Sequence, residues 1–304
     1  MKHVTALVLS LALSAVPLAA SAQVIGEPAG TGGSPAVAEA RADAPGYTVY
    51  RPAQWPEARL PLVLWGNGGC RNNGLSASHF LREIASHGYL VIANGAPQEE
   101  RPVQAVLPPA NGPRPAGAPP PRVTADETQV RQLLGAIDWV AGSDLGPRVD
   151  TSRIAVMGHS CGGLQALAAG ADPRVDAVVA FNSGVYVRAG SGLSGVGIAK
   201  DDLKKLHTPV AYILGGPDDI AYPNGSDDVA RIAHVPVFYA NSPVGHGGTF
   251  GLANGGDYGR IGAAWLDWQL KGSKAAGAMF AGTDCGLCND KTWTIVRKQF
   301  PENP

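Results

Sequence analysis

Between residues 47 and 271, short apolar runs alternate with longer stretches whose apolar positions recur at helical spacing. Tyr47 to Tyr50, Leu60 to Trp65, Tyr89 to Ala93, Ile154 to Met157, Ala177 to Phe181, Val210 to Leu214 and Val235 to Tyr239 read as strands, being short, apolar and bounded by turn residues. Ser78 to Ser86, Asp126 to Ala141, the segment after residue 160, Asp227 to Ala233 and Tyr258 to Lys271 read as helices. In 126–141 the apolar residues at 130, 133, 134, 137, 140 and 141 fall on one face. Continuous apolar strands alternating with amphipathic helices predict an α/β fold in a single domain, a mostly parallel sheet with helices on both faces. In such sheets the functional loops leave the carboxyl ends of the strands.

Segments outside this rhythm carry other expectations. Lys2 and His3, the apolar stretch Val4 to Leu18 and the small-residue site Ala20-Ser21-Ala22 predict a signal peptide over 1–22 and a secreted or periplasmic protein. Residues 23–45, rich in Gly, Ala and Pro without period, predict a flexible leader. The Pro-rich segment 97–122 predicts an extended excursion, either an inert insertion or a flap beside the site, and 272–304 reads as a C-terminal tail. A formal charge of −1 gives no electrostatic case for nucleic acid, and no later segment is apolar enough to cross a membrane; a monomer is expected.

Four cysteines in an exported chain predict disulfides. Of the three possible connectivities, 70–161 with 285–288 is favoured, because Cys70 and Cys161 fall on loops at the same end of the predicted sheet. Cys285-Gly-Leu-Cys288 has no second pair or nearby histidine, so no metal and no cofactor is expected.

The chemistry centres on Gly158-His159-Ser160-Cys161-Gly162, directly behind strand 154–157. Small residues two before and two after a serine let a strand turn sharply into a helix and hold the hydroxyl clear of the backbone. Among 40 glycines that pattern has little weight alone, so the neighbouring loops must carry it. A nucleophilic serine needs a histidine base and an acid that orients it. Of the seven histidines, His3 leaves with the signal, His79, His87 and His159 precede or abut the serine, and His207 and His234 stand before strands, at the other end of the sheet. His246, in Gly245-His246-Gly247-Gly248, remains. The loop after strand 210–214 offers Asp218 and Asp219, with Asp218 the first choice. Oxyanion donors are expected from the N–H of Cys161 and of Gly69, in Gly66-Asn67-Gly68-Gly69-Cys70. A Cys70–Cys161 bridge is expected to stand behind both. Asn182, Ser183, Tyr186, Tyr222 and Phe250 are candidate substrate contacts, whereas Trp65, Trp139, Trp265 and Trp268 are expected in the core.

Together the elbow, the glycine loop, Asp218-Asp219-Ile220-Ala221 and the Gly-His-Gly-Gly turn resemble secreted α/β-hydrolases of the cutinase-like polyester hydrolase and dienelactone-hydrolase-related group, over roughly residues 46–271. The resemblance implies a serine esterase acting on small, aryl or polymeric esters, and its Asp-x-Ile-Ala context favours Asp218 over Asp219. The chain departs from polyester hydrolases in the Gly-Asn-Gly-Gly-Cys loop, where they carry an aromatic residue, and in the terminal Cys pair. Where dienelactone hydrolases proper carry a cysteine nucleophile, Ser160 stands here. An acyltransferase or peptidase using the same three residues is the enzymatic alternative. An inactive binding domain of the same fold is the alternative outside enzymes.

Overall fold

The computed structural model describes residues 22–107, 127–187 and 196–300. Ten strands form one sheet: β1 (Ala22–Ala29), β2 (Ala36–Arg41), β3 (Tyr47–Pro52), β4 (Leu60–Gly66), β5 (Leu90–Asn94), β6 (Val149–His159), β7 (Ala177–Phe181), β8 (Val210–Leu214), β9 (Val237–Asn241) and β10 (Thr294–Lys298). Their order across the sheet is β1-β2-β3-β5-β4-β6-β7-β8-β9-β10. The block from β5 to β9 is parallel, and β1 to β3 at one edge and β10 at the other pair antiparallel. The α/β class read from the alternation is therefore the observed one.

Period-two alternation along the strands divides the core into two layers. Leu62, Leu64, Ile154 and Val156 face one layer with α2 (Val130–Gly142), α3 (Cys161–Ala169) and α4 (Tyr222–Arg231). Val63, Trp65, Ala155 and Met157 face the other with α1 (Ser78–Ser86) and α5 (Gly256–Lys271). Helix α2 buries Leu133, Ala136, Ile137 and Val140, a stripe one helical face wide. Each such side chain removed from water contributes about 1.5–3 kcal/mol, which is why the helices lie flat on the sheet.

Several sequence expectations change. The predicted flexible leader instead forms β1 and β2. All but one residue of β2 is buried, with Glu39 paired to Arg51, and Arg41 to Asp43 and Asp144. Its alanines are small enough to pack beneath α1, so little bulky hydrophobic signal marks the strand. Helix α2 begins at Val130 instead of residue 126, which lies outside the described residues, α4 starts five residues earlier than the periodicity suggests, and β9 is displaced two residues toward the C-terminus. The C-terminal segment is no loose tail: Phe280, Leu287 and Trp293 are buried against the α5 layer before β10 closes the sheet edge. Of the Pro-rich segment, 97–107 is described; the rest, and all of the predicted signal except Ala22, lies outside the described residues. Among the described residues no helix is long and apolar enough to cross a membrane.

Candidate functional site

Strand β6 passes into α3 through Ser160, whose backbone sits at φ 54° and ψ −118°, a region that costs a non-glycine residue strain of about 1–3 kcal/mol. The turn is held by the Ser160 N–H donating to the Phe181 carbonyl at 2.9 Å and by Ser183 Oγ donating to the Ser160 carbonyl at 2.7 Å. Glycine is obligatory on both sides. A Cβ on Gly158 would lie 2.1 Å from the Gly162 carbonyl oxygen, and one on Gly162 would lie 2.0 Å from the backbone of Gly66. Strand, helix and the loop after β4 therefore meet backbone to backbone.

Ser160 Oγ lies 2.9 Å from His246 Nε2, and His246 Nδ1 lies 2.6 Å from Asp219 Oδ1. A carboxylate only accepts, so Nδ1 carries the proton and Nε2 presents its lone pair to the serine hydroxyl, which donates. This corrects the expectation for the acid, since Asp219 and not Asp218 meets the histidine. The Asp219 N–H donates to the Gly216 carbonyl at 2.9 Å, closing a turn that leaves Asp218 exposed and turns Asp219 inward. Asp219 accepts further hydrogen bonds from the N–H groups of Gly215 (3.1 Å) and Ala221 (2.9 Å). Burial pushes its carboxyl upward, but His246 and these two N–H donors outweigh it and hold it below the usual carboxylate range.

The histidine loop is itself clamped. Asn182 Nδ2 donates to the Gly245 carbonyl at 2.8 Å, and the Gly245 N–H donates to Gly215 at 2.7 Å. His159 Nε2 lies 2.8 Å from the His246 carbonyl, so it is the protonated nitrogen. Burial, then the neighbouring His246, pushes the His159 imidazole down to about 4, which keeps it neutral and donating. Neither role was legible beforehand. His159 stands at the variable position of the elbow, and Asn182 was expected as a substrate contact.

On the opposite wall, Cys161 begins α3, so its N–H has no acceptor within the helix and lies beside the serine. In the loop after β4 the N–H groups of Cys70 and Arg71 are engaged by Asn67 and Gly68, which leaves Gly68 and Gly69 as donors for an oxyanion. Gly69 holds φ 65° and lines the cleft, as does Gly68. The expected bridge is present: Cys70 and Cys161 are disulfide-bonded with Cα atoms 5.2 Å apart, tying the glycine loop to the residue after the serine, and Cys285 is bonded to Cys288. Asn67 fixes the same loop from beneath, accepting from Trp65 Nε1 at 2.9 Å and donating to the carbonyls of Arg71 and Asn94.

Ser160 opens into a cleft of about 810 Å³. Asn182, Ser183, Tyr186 and Phe250 line it as expected, although Asn182 and Ser183 also brace the backbone. Phe250 is at once cleft wall and core, packed edge-on against Phe80, Phe181 and Tyr258. Tyr222 is a correction: it opens α4 and packs against the core layer, and it is not among the residues that line the cleft, although Ala221 and Asn224 are. Trp65 lies in the core as expected yet also reaches the cleft. The described part of the Pro-rich segment is a cleft wall too, with Arg101, Pro102 and Gln104 at the rim and the Gln104 N–H donating to Gly251 at 2.7 Å. Among the described residues no three His, Cys, Asp or Glu side chains are grouped to hold a metal ion.

A serine hydroxyl aligned on an imidazole, a buried carboxylate behind that imidazole and backbone N–H groups on the facing wall can together attack a carbonyl and hold the charge that develops. The chain matches no protein-family model and no curated protein.

Proposed function

We propose that the protein is an exported serine carboxylic-ester hydrolase of the α/β-hydrolase type, acting on small, aryl or polymeric esters through an acyl-enzyme. The observation that carries this reading is the hydrogen-bonded chain from Ser160 through His246 to Asp219, built on a strained strand-to-helix turn. His246 Nε2 takes the Ser160 proton as Oγ attacks the acyl carbon, and the N–H groups of Cys161 and Gly69 receive the oxyanion. Collapse breaks the bond from the acyl carbon to the alcohol oxygen, and His246 returns the proton to the departing alcohol. Water then attacks the acyl-serine with His246 again as base, releasing the acid and restoring Ser160. Asp219 keeps the imidazole in the required tautomer throughout.

An open cleft with Phe250 and Tyr186 on its walls suits aryl or extended ester groups. Export is supported by the sequence at the N-terminus and by the two disulfides. The test is turnover of p-nitrophenyl acetate by the wild type and by Ser160→Ala. Loss of at least a thousandfold in kcat, with an unchanged circular dichroism spectrum, is expected. A folded Ser160→Ala that keeps full activity removes the serine from the reaction.

A further inference from the structure

Neither Cys285 nor Cys288 lines the cleft that holds Ser160, and the disulfide between them is open to chemistry of its own. Cys285 is 1% exposed, whereas Cys288 is half-buried and Gly286 and Asn289 beside it in the turn are exposed. Cys288 is therefore the partner that a reagent in solution can approach. At the other bridge both residues are closed off, Cys70 at 0% and Cys161 at 1% exposure.

The turn does not depend on the bond it encloses. The Gly286 N–H donates to the Ala278 carbonyl at 3.0 Å and the Leu287 N–H to the Met279 carbonyl at 3.1 Å, with Leu287 buried. The Cys288 and Asn289 N–H groups donate to the Cys285 carbonyl at 2.9 and 3.2 Å. From β10, Arg297 donates to the carbonyls of Phe280 and Gly282 just before the turn. These contacts remain when the sulfur–sulfur bond opens, and so short a loop loses little stability with its cross-link. Two thiols then stay side by side, positioned to close again. The Cys288 N–H also reaches Cys285 Sγ at 3.1 Å, a donor placed where a thiolate on Cys285 carries its charge. A thiolate stabilised in this way leaves more readily in exchange.

We propose that Cys285–Cys288 is a reversible thiol–disulfide exchange site, opened by a dithiol through attack on Cys288 while Cys70–Cys161 stays closed. A thiolate of the dithiol attacks Cys288 Sγ, forming a mixed disulfide and expelling Cys285 as a thiolate that the Cys288 N–H receives. The second thiol of the reductant, as its thiolate, then attacks its own partner sulfur in the mixed disulfide and expels Cys288. The two protons given up by the reductant pass to Cys285 and Cys288, so two electrons move and a cyclic disulfide leaves. Asp284 and Asp290 flank the pair in sequence and disfavour an anionic attacker, so the fitting reductant is a dithiol without negative charge near its sulfurs. The proposal is independent of the esterase reading.

The experiment treats the native protein with dithiothreitol, quenches with iodoacetamide at intervals and maps the alkylated peptides. Cys285 and Cys288 are expected to be alkylated at least about a hundredfold faster than Cys70 and Cys161. After removal of the reductant, bis(2-hydroxyethyl) disulfide, a neutral oxidant, restores the 285–288 bond. With Cys285→Ser the same reagent leaves a stable mixed disulfide on Cys288, and with Cys288→Ser the buried Cys285 takes it up at least about tenfold more slowly. Opening of Cys285–Cys288 no faster than Cys70–Cys161, or failure of the bond to re-form, overturns the proposal. So does a mixed disulfide that forms faster on Cys285 than on Cys288. Should a variant fail to fold, the opening and closing rates of the wild type decide alone.

Discussion

The carboxyl ends of β4 and β6 and the C-terminal stretch after α5 are both glycine-containing, both short of regular structure and both closed by a disulfide, yet they differ in what the bridge joins. Cys70 and Cys161 are 91 residues apart in sequence and tie the glycine loop to the residue after Ser160. Cys285 and Cys288 are 3 apart and close a single turn in which the Cys288 N–H already donates to the Cys285 carbonyl, while the Gly286 and Leu287 N–H groups donate to Ala278 and Met279. In a chain-entropy account a cross-link of the first length restricts the unfolded chain by about 4–5 kcal/mol and one of the second by about 1–2. The difference teaches that the first bridge sets the position of two backbone donors relative to each other, while the second shapes a segment whose anchorage comes from burying Phe280, Leu287 and Trp293.

The strongest way to sharpen the contrast lies within the first region. Asp219→Asn is expected to lower kcat by about a thousandfold to ten-thousandfold, because an amide no longer demands a protonated Nδ1 on His246. Asp218→Asn, one residue away and exposed, should change kcat less than about twofold, a split read by ester turnover. Next come the bridges. Cys70→Ala with Cys161→Ala should cost about 2–5 kcal/mol in urea unfolding and reduce kcat by about tenfold or more, whereas Cys285→Ala with Cys288→Ala should cost under about 2 kcal/mol and leave kcat within twofold. Equal effects from the two pairs would erase the distinction.

The smallest effect is in the pH dependence of stability. Burial holds His159 down at about 4, so the unfolded chain binds a proton that the folded chain refuses, and the stability it contributes is lost as pH falls from about 6.5 through 4. Burial pushes Asp228 up to about 6 even though Lys200, the Val185 N–H and Tyr212 bond to it, so its contribution has the opposite sign and is lost as pH rises from about 3.8 through 6. His159→Gln and Asp228→Asn should therefore tilt the stability profile between pH 4 and 6 in opposite directions, each by at most about 1.4 kcal/mol per pH unit. Chemical denaturation at three pH values reads this.

What the sequence disclosed follows from how each feature is encoded. Continuous apolar strands and the face of α2 are local patterns, so the parallel sheet was readable, and a histidine among glycines after a strand was readable as His246. The acid was not, because Asp218 and Asp219 are chemically identical neighbours and only the turn closed on Gly216 decides which one points inward. Strand β2 escaped because alanine packs well under a helix while contributing little hydrophobic signal, and β1 escaped because it is an exposed edge strand, with few bulky apolar residues and an irregular register between Ile25 and Ala29. Asn182 and His159 act through main-chain carbonyls of a distant loop, and no spacing in the sequence records such a contact.

The central claim is that Ser160 is a nucleophile made reactive by its fold. Incubation of the folded protein with a fluorophosphonate, followed by intact-mass and peptide mapping, tests it most directly. A single adduct on Ser160 is expected, lost in His246→Ala and in protein unfolded before labelling. No adduct, or one carried by another residue, would contradict it.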